Sequence, residues 1–307
     1  MITIPDRTAL AVVGEFGEAG REWLDIQPGR LAALGERWRL TFEEPFGIGL
    51  PINIVFRVSR DNRPLILKTG FPHPEMFTEM AVLARWKCRP GCVQLIDSDE
   101  EAGAVLMDRI IPGTGFREFA RLQSEHEASS QVRHVFERTP LRTDADDEFP
   151  SYTDWCSGAF ANYRRQHSSD AFLVHIGHVE KLLEAAADRY ESGWLLHGDL
   201  HHENILLCDP GDYVVVDPKG VIGPRLFEYG RFVHNFFVDQ LPAMSAENIL
   251  TQRLAALKGE FSESEILMVG YVDLVLSSCW SLNSGQTLKT ETLELMELMS
   301  VLLTQGK

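Results

Sequence analysis

The stretch His197-Gly198-Asp199-Leu200-His201-His202-Glu203-Asn204-Ile205-Leu206-Leu207, followed by Tyr213-Val214-Val215-Val216-Asp217, decides how the rest of the chain is read. It sets a carboxylate at Asp199, a carboxamide at Asn204 and a second carboxylate at Asp217, which ends an apolar run. Ile205-Leu206-Leu207-Cys208 and Tyr213-Val214-Val215-Val216 flank the turn Asp209-Pro210-Gly211-Asp212. Apolar, β-branched runs around Pro and Gly read as a β-hairpin. Such a hairpin holds Asn204 and Asp217 at neighbouring strand ends.

That order and spacing suit phosphoryl transfer. Moving a phosphoryl group onto a hydroxyl requires the phosphate charge to be neutralised, the attacking oxygen aligned and its proton removed. Asp199 is the candidate to accept or orient that proton. Asn204 offers an amide oxygen and Asp217 a charged one, the donors magnesium prefers. His197 reads as a brace for the loop through hydrogen bonds. A rival reading gathers His197, His201, His202 and Glu203 around a transition metal; the ligand types are sound, but the spacing is not that of the helical zinc-protease motif. A merely buried polar turn does not explain why an apolar strand ends on Asp217.

Working toward the N-terminus, Lys68 ends the apolar run Leu65-Ile66-Leu67. There a flexible cation either reaches a bound phosphate or snorkels to solvent. Strands over 38–42 and 52–58 precede it, separated by Pro45-Phe46-Gly47-Ile48-Gly49 and Asp61-Asn62-Arg63-Pro64, giving an antiparallel meander. Gly47 and Gly49 allow backbone amides to approach phosphate oxygens. Ile52 stands where a third glycine belongs, so an ordinary hairpin turn competes with that reading. A helix is expected over 75–86, from which Glu79 or Glu75 can face Lys68; spacing to the apolar residues favours Glu79. Strands over 93–96 and 104–107 lead to Asp108-Arg109-Ile110-Ile111-Pro112-Gly113, whose Pro and Gly mark a link. The expected division is 1–108 and 109–307. Before the meander, residues 8–39 read as helix, turn at Pro28-Gly29, helix.

Beyond the link the pattern is mostly helical, over 116–138, 171–190, 227–238, 246–257, 263–282 and 291–303. The acidic run containing Asp144, Asp146, Asp147 and Glu148 reads as a solvated loop, with the lining of a cationic substrate's entry as the alternative.

Composition narrows the classes. The chain has 307 residues, 44% hydrophobic and 24% charged, as expected for a folded protein with a sizeable core. A formal net charge of −16 argues against a nucleic-acid partner and suits a cationic small substrate, although solubility alone accounts for it. No basic-then-apolar leader is seen, and no apolar stretch approaches membrane-spanning length, so no membrane partner is expected. Five scattered cysteines suit reduced thiols and a cytoplasmic protein. Oligomeric state is not legible.

Four segments together, 197–207, Val216-Asp217-Pro218-Lys219-Gly220-Val221-Ile222-Gly223, Trp23-Leu24 and Trp38-Arg39-Leu40, resemble the aminoglycoside phosphotransferase family within the protein-kinase-like superfamily. The likeness is to its streptomycin and hydroxyurea kinase branch. It implies an α+β, bilobal protein-kinase-like fold: a small N-terminal lobe with a five-stranded antiparallel sheet, a larger, mostly helical C-terminal lobe, and ATP in the cleft. By motif position, Lys68 would hold the nucleotide phosphates and Glu79 would pair with Lys68. Asp199 would be the base, Asn204 and Asp217 would bind Mg2+, and adenine would lie against Met107, Asp108, Arg109 and Ile110. Pro218-Lys219 replaces the Phe-Gly of protein kinases, and no activation-loop signature follows, so the implied acceptor is a small molecule. The implied activity is ATP-dependent phosphorylation of an aminoglycoside of the streptomycin type. Alternatives are a kinase of another small metabolite or hydroxyurea-like compound, and a non-catalytic nucleotide-binding module. Asp154, Glu228 and Asp239 are candidate contacts for a cationic acceptor.

Overall fold

A computed structural model describes residues 4–46, 52–143, 149–167, 170–209, 212–235 and 244–305. The chain divides into two units, Met1–Gly113 and Thr114–Lys307, the break falling at Gly113 rather than after Asp108.

In the first unit, strands β1 (Thr41–Phe46), β2 (Asn53–Arg60), β3 (Arg63–Gly70), β4 (Leu95–Asp99) and β5 (Ala104–Asp108) form one sheet in the order β1-β2-β3-β5-β4. Every pairing is antiparallel. Lys68 lies on the central strand, opposite Val55 on one side and Val105 on the other. Helix α1 (Asp6–Trp38) covers one face of the sheet: Val12, Trp23, Leu31, Leu34 and Trp38 form a core cluster with Ile54, Phe56, Val58, Leu65, Leu67 and Leu106. Each such side chain contributes about 2 kcal/mol by leaving water. Helix α2 (Pro74–Arg85) starts with Pro at its first position, where the missing N–H costs nothing.

The expected break in the N-terminal helix is misplaced. Non-helical dihedrals occur at Gly17 (φ 60°), while Pro28 lies inside the helix. Proline removes one backbone hydrogen bond, but buried Trp23, Gln27, Leu31 and Leu34 flank it on one face. Packing of that face holds the helix together across the defect.

The second unit contains α3 (Phe116–Ala120), α4 (Glu125–Arg138), α5 (Tyr152–Gln166), α6 (Phe172–Arg189), α7 (Gly230–His234), α8 (Ala246–Leu257), α9 (Glu263–Asn283) and α10 (Thr290–Gln305). Ser124 and Glu127 form a reciprocal capping box at the start of α4, and Ser262 and Glu265 do the same for α9. Each box adds about 1 kcal/mol by satisfying orphan N–H groups. Two small antiparallel sheets carry the loop of interest. One has the order β10 (Asp212–Val215), β9 (Ile205–Asp209), β6 (Thr114–Gly115); the other has β11 (Val221–Gly223), β8 (Trp194–Leu196), β7 (Leu141–Arg142).

Helix α9 corrects another expectation. Over 21 residues it is long and apolar enough to cross a membrane by length and composition. Most of its apolar residues, Ile266, Val269, Val272, Val275 and Leu276 among them, are instead buried in this unit. A helix apolar on all sides is the pattern of a core helix.

Candidate functional site

Lys68 and Glu79 meet in the first unit. The Lys68 Nζ donates to both Glu79 carboxylate oxygens, at 2.8 and 2.7 Å, and both residues are buried, 5% and 6% exposed. Strand β3 delivers the lysine and α2 the glutamate. A buried pair with this geometry compensates both charges, and it involves Glu79 rather than Glu75.

At the end of β5, the Asp108 N–H donates to Gln94 O at 3.0 Å and its carboxylate accepts from Arg63. Ile110 follows two residues later and is half-buried. Gly47 and Gly49 lie outside the described residues.

In the second unit the loop from β8 to β9 is built around His197, which is 0% exposed. Its Nε2 is 2.8 Å from Val216 O, and the Asp199 N–H approaches its Nδ1 at 3.2 Å. A carbonyl only accepts and an amide N–H only donates, so the ring is the neutral Nε2–H tautomer. Burial, acting against the nearby Asp199 and Asp217 charges, lowers its pKa to about 4, in agreement with that tautomer. The His197 carbonyl accepts from the Lys219 and Gly220 amides at 2.8 and 3.1 Å. His197 therefore ties the Asp199 loop to the segment on either side of Asp217.

The turn after His197 requires Gly198, at φ 79°, where a Cβ would stand 3.0 Å from Trp155 and Val221 side chains. A short 3-10 turn, His202–Asn204, returns the chain to β9, with the Asn204 N–H donating to His201 O at 3.0 Å. The Asn204 Nδ2 donates to Asp199 O at 2.9 Å, and the Val216 N–H donates to Asn204 O at 3.0 Å. Asp217, at φ 60°, follows directly. Asp199, Asn204 and Val216, the residue before Asp217, are thus joined by one hydrogen-bonded frame.

The imidazoles do not converge as a metal site. His202 stacks on Phe232 at 4.0 Å between centroids and on Phe116 at 5.7 Å, and burial lowers its pKa. His201 instead sits 3.0 Å from the Glu203 carboxylate, and hydrogen bonds from His201 and Arg117 bring that carboxyl down to about 2.

Three carboxylates expected at an acceptor fare differently. Asp154 is exposed on the first turn of α5 and accepts from Ser151 Oγ at 2.7 Å. Glu228 is buried at 2% exposure and accepts from the His197 N–H at 3.1 and 3.0 Å, so it supports the loop from beneath. Desolvation raises its pKa to about 8 against those hydrogen bonds. Asp239 lies outside the described residues. A cavity of about 410 Å³ in this unit is lined by Arg231, Ser277, Ser281, Thr287, Lys289 and Glu291, among others. Of these, Arg231 reaches Asp199, its Nε lying 3.1 Å from Oδ1. Sequence reasoning passed over Arg231, because a lone arginine in Phe227-Glu228-Tyr229-Gly230-Arg231 carries no motif.

The family model described as aminoglycoside/hydroxyurea antibiotic resistance kinase matches residues 52–285. The chain belongs to that family. It is a small-molecule phosphotransferase. This kinase is 26% identical over 240 residues to streptomycin 6-kinase of Streptomyces griseus, covering 74% of this chain and 73% of that protein. It is 27% identical over 233 residues to hydroxyurea phosphotransferase of Kitasatospora aureofaciens, covering 74% and 67%. Among solved structures, choline kinase LicA from Streptococcus pneumoniae superposes with a TM-score of 0.64 at 12% identity, over 92% of this chain and 99% of that one. Aminoglycoside phosphotransferase APH(4)-Ia gives 0.57 at 14% identity, over 91% and 99%. These likenesses establish the protein-kinase-like α+β fold of this kinase.

Proposed function

We propose that this kinase transfers the γ-phosphoryl group of ATP to a hydroxyl of an aminoglycoside of the streptomycin type, with Asp199 as the base. The observation that carries the reading is the frame in which Asn204 donates to the Asp199 carbonyl while His197 joins Asp199 to Val216. A phosphoryl-transfer site depends mainly on positioning and charge, and such a frame supplies positioning.

Lys68 binds the nucleotide phosphates, and Glu79 keeps the ammonium aimed when no phosphate is present. Asp108 and Ile110 offer backbone groups to adenine. Asn204 and Asp217 fit a magnesium ion: both present hard oxygens, and the Asn204 nitrogen is engaged by Asp199, which assigns the amide oxygen to the cation. When bound, that ion neutralises phosphate charge. Asp199 takes the acceptor hydroxyl's proton as its oxygen bonds to the γ-phosphorus and the bond to the ADP oxygen breaks.

Hydroxyurea, or a comparable small neutral acceptor, is the second reading. The identity to the hydroxyurea phosphotransferase matches that to the streptomycin kinase. Among the described residues, Glu291 is the sole carboxylate lining the cavity, against Arg117, Arg231 and Lys289. The test is ATP-dependent phosphorylation of a panel containing streptomycin, other aminoglycosides, hydroxyurea and amino alcohols, with product mass and position determined. Activity confined to non-aminoglycosides rejects the first reading. Asp199→Asn is expected to abolish turnover while ATP binding persists; full turnover in that variant rejects the base assignment.

A further inference from the structure

The carboxylate of Asp199 is not held by its own loop alone. Arg231, on α7, places its Nε 3.1 Å from Asp199 Oδ1 and 3.3 Å from Asp273 Oδ2. The Nε–H meets neither oxygen with hydrogen-bond alignment, so both contacts are charge–charge contacts and the arginine is shared between two carboxylates. Asp273 lies on the core helix α9 and is 2% exposed. It also accepts from Tyr152 Oη at 3.3 Å and stands 3.2 Å from His234 Nε2. Burial raises its pKa, but Arg231 and His234 outweigh burial and keep it below the ordinary carboxylate value.

Close packing creates this arrangement. A Cβ on Gly230 would stand 3.0 Å from both Asp273 Cβ and Val269 O, so α7 approaches α9 more closely there than a larger residue permits. The next residue along, Arg231, meets Asp273 at that approach. Trp280, also on α9, lies with its ring 5.8 Å from the guanidinium. Trp155 packs against Trp280 at 5.6 Å and against the Gly198 turn. Arg231 thereby joins the wall of the cavity to the carboxylate of Asp199.

We infer that Arg231 is a positioning residue for Asp199, held in turn by Asp273, and that together they fix which oxygen of Asp199 meets the acceptor hydroxyl. With Oδ1 against Arg231, Oδ2, which has His201 Nε2 at 3.7 Å, takes the proton. When Asp199 becomes neutral, Arg231 keeps Asp273 as its counter-ion, so no uncompensated buried cation appears during turnover. Lysine is a poor substitute, because one ammonium lacks the planar spread of the guanidinium. This inference rests on Asp199 being the base.

The experiment compares Arg231→Met, Arg231→Lys, Asp273→Asn and the double variant Arg231→Met/Asp273→Asn in the full chain. kcat and KM are measured with streptomycin as acceptor and with water as acceptor, by ADP release, and ATP affinity is measured separately. Arg231→Met is expected to lower kcat about tenfold or more with ATP affinity unchanged, and Arg231→Lys to recover part of it. Asp273→Asn lowers kcat less, and adds no further loss to Arg231→Met, since it acts through the arginine. If Arg231→Met alone does not fold, the double variant, which removes both buried charges, carries the same comparison. A kcat within about twofold of wild type in Arg231→Met, a change in KM alone, or losses that multiply in the double variant overturn the inference. Asp199→Asn serves as reference: if it retains turnover, the base assignment fails and this inference with it. If only the Arg231 variants retain turnover, the inference alone fails.

Discussion

The Asn204 Nδ2 donates to the carbonyl of Asp199 at 2.9 Å, so the residue proposed to hold a cation also fixes the backbone of the residue proposed as base. Asn204→Ala is expected to lose about 0.5–1.5 kcal/mol of stability, because the Asp199 carbonyl loses one of its two donors and keeps the His201 N–H at 3.0 Å, and about 10²-fold in turnover. Asn204→Asp keeps an oxygen for magnesium but turns a carboxylate toward that carbonyl. It should therefore restore neither quantity. Turnover against Mg2+ concentration, with thermal midpoints, checks this; wild-type stability in Asn204→Asp counts against the tether.

Removing one partner of the Lys68–Glu79 pair takes its counter-charge from a buried group. Glu79→Ala or Lys68→Met should each cost about 3–5 kcal/mol in urea unfolding. The double variant Lys68→Met/Glu79→Leu, in which both charges leave together, should recover much of the stability and none of the turnover. Stability as low in the double variant as in the single ones contradicts the pairing argument.

Gly198 occupies φ 79°, and a Cβ there would stand 3.0 Å from the Trp155 and Val221 side chains. Gly198→Ala combines a strained backbone with a steric clash and is expected to cost about 1–3 kcal/mol. Because Asp199 follows directly, turnover should fall further than stability does. An alanine variant with wild-type kcat and midpoint argues against a rigid turn at this position.

Two buried groups beneath the loop set opposing pH dependences. His197 falls from 6.5 to about 4 on folding, so below pH 6.5 the unfolded chain binds a proton the folded one refuses, and stability drops as pH falls toward 4. Glu228 rises from 4.5 to about 8, so between those values the folded chain holds a proton the unfolded one has released, and stability drops as pH rises. The slopes oppose each other between 4.5 and 6.5, and Glu228 alone acts from 6.5 to 8. Across that upper window the loss attributable to Glu228 is on the order of 1–2 kcal/mol. Denaturant unfolding at stepped pH should show it in the native protein and not in Glu228→Gln. A native and a Glu228→Gln slope that coincide above 6.5 dispose of the assignment.

Elements whose signals are local were readable in the chain. Strands β2, β3 and β5 announce themselves by apolar runs between turn residues, and the β9–β10 hairpin brings Asn204 beside Val216 by pairing adjacent strands across one short turn. Glu79 is separable from Glu75 by its spacing to Met76, Met80 and Leu83, which are buried on the same helix. The helix break was misread because Pro28 is a strong local breaker and Gly17 a weak one, and the order reverses once Trp23 and Leu31 are buried.

By itself the amino-acid sequence determined the order and spacing of Asp199, Asn204 and Asp217, the lysine on an apolar strand and the class of chemistry these permit. Local spacing suffices there, because short turns and strand pairs leave few alternative geometries. Only the tertiary structure decided that Glu228 supports the His197 loop instead of meeting an acceptor, and that Asp273 shares Arg231 with Asp199. Those contacts join residues far apart along the chain: the turn Arg225–Tyr229 brings Glu228 under His197, and the packing of α7 on α9 brings Arg231 to Asp273; no periodicity or motif within one element encodes which partner another will supply.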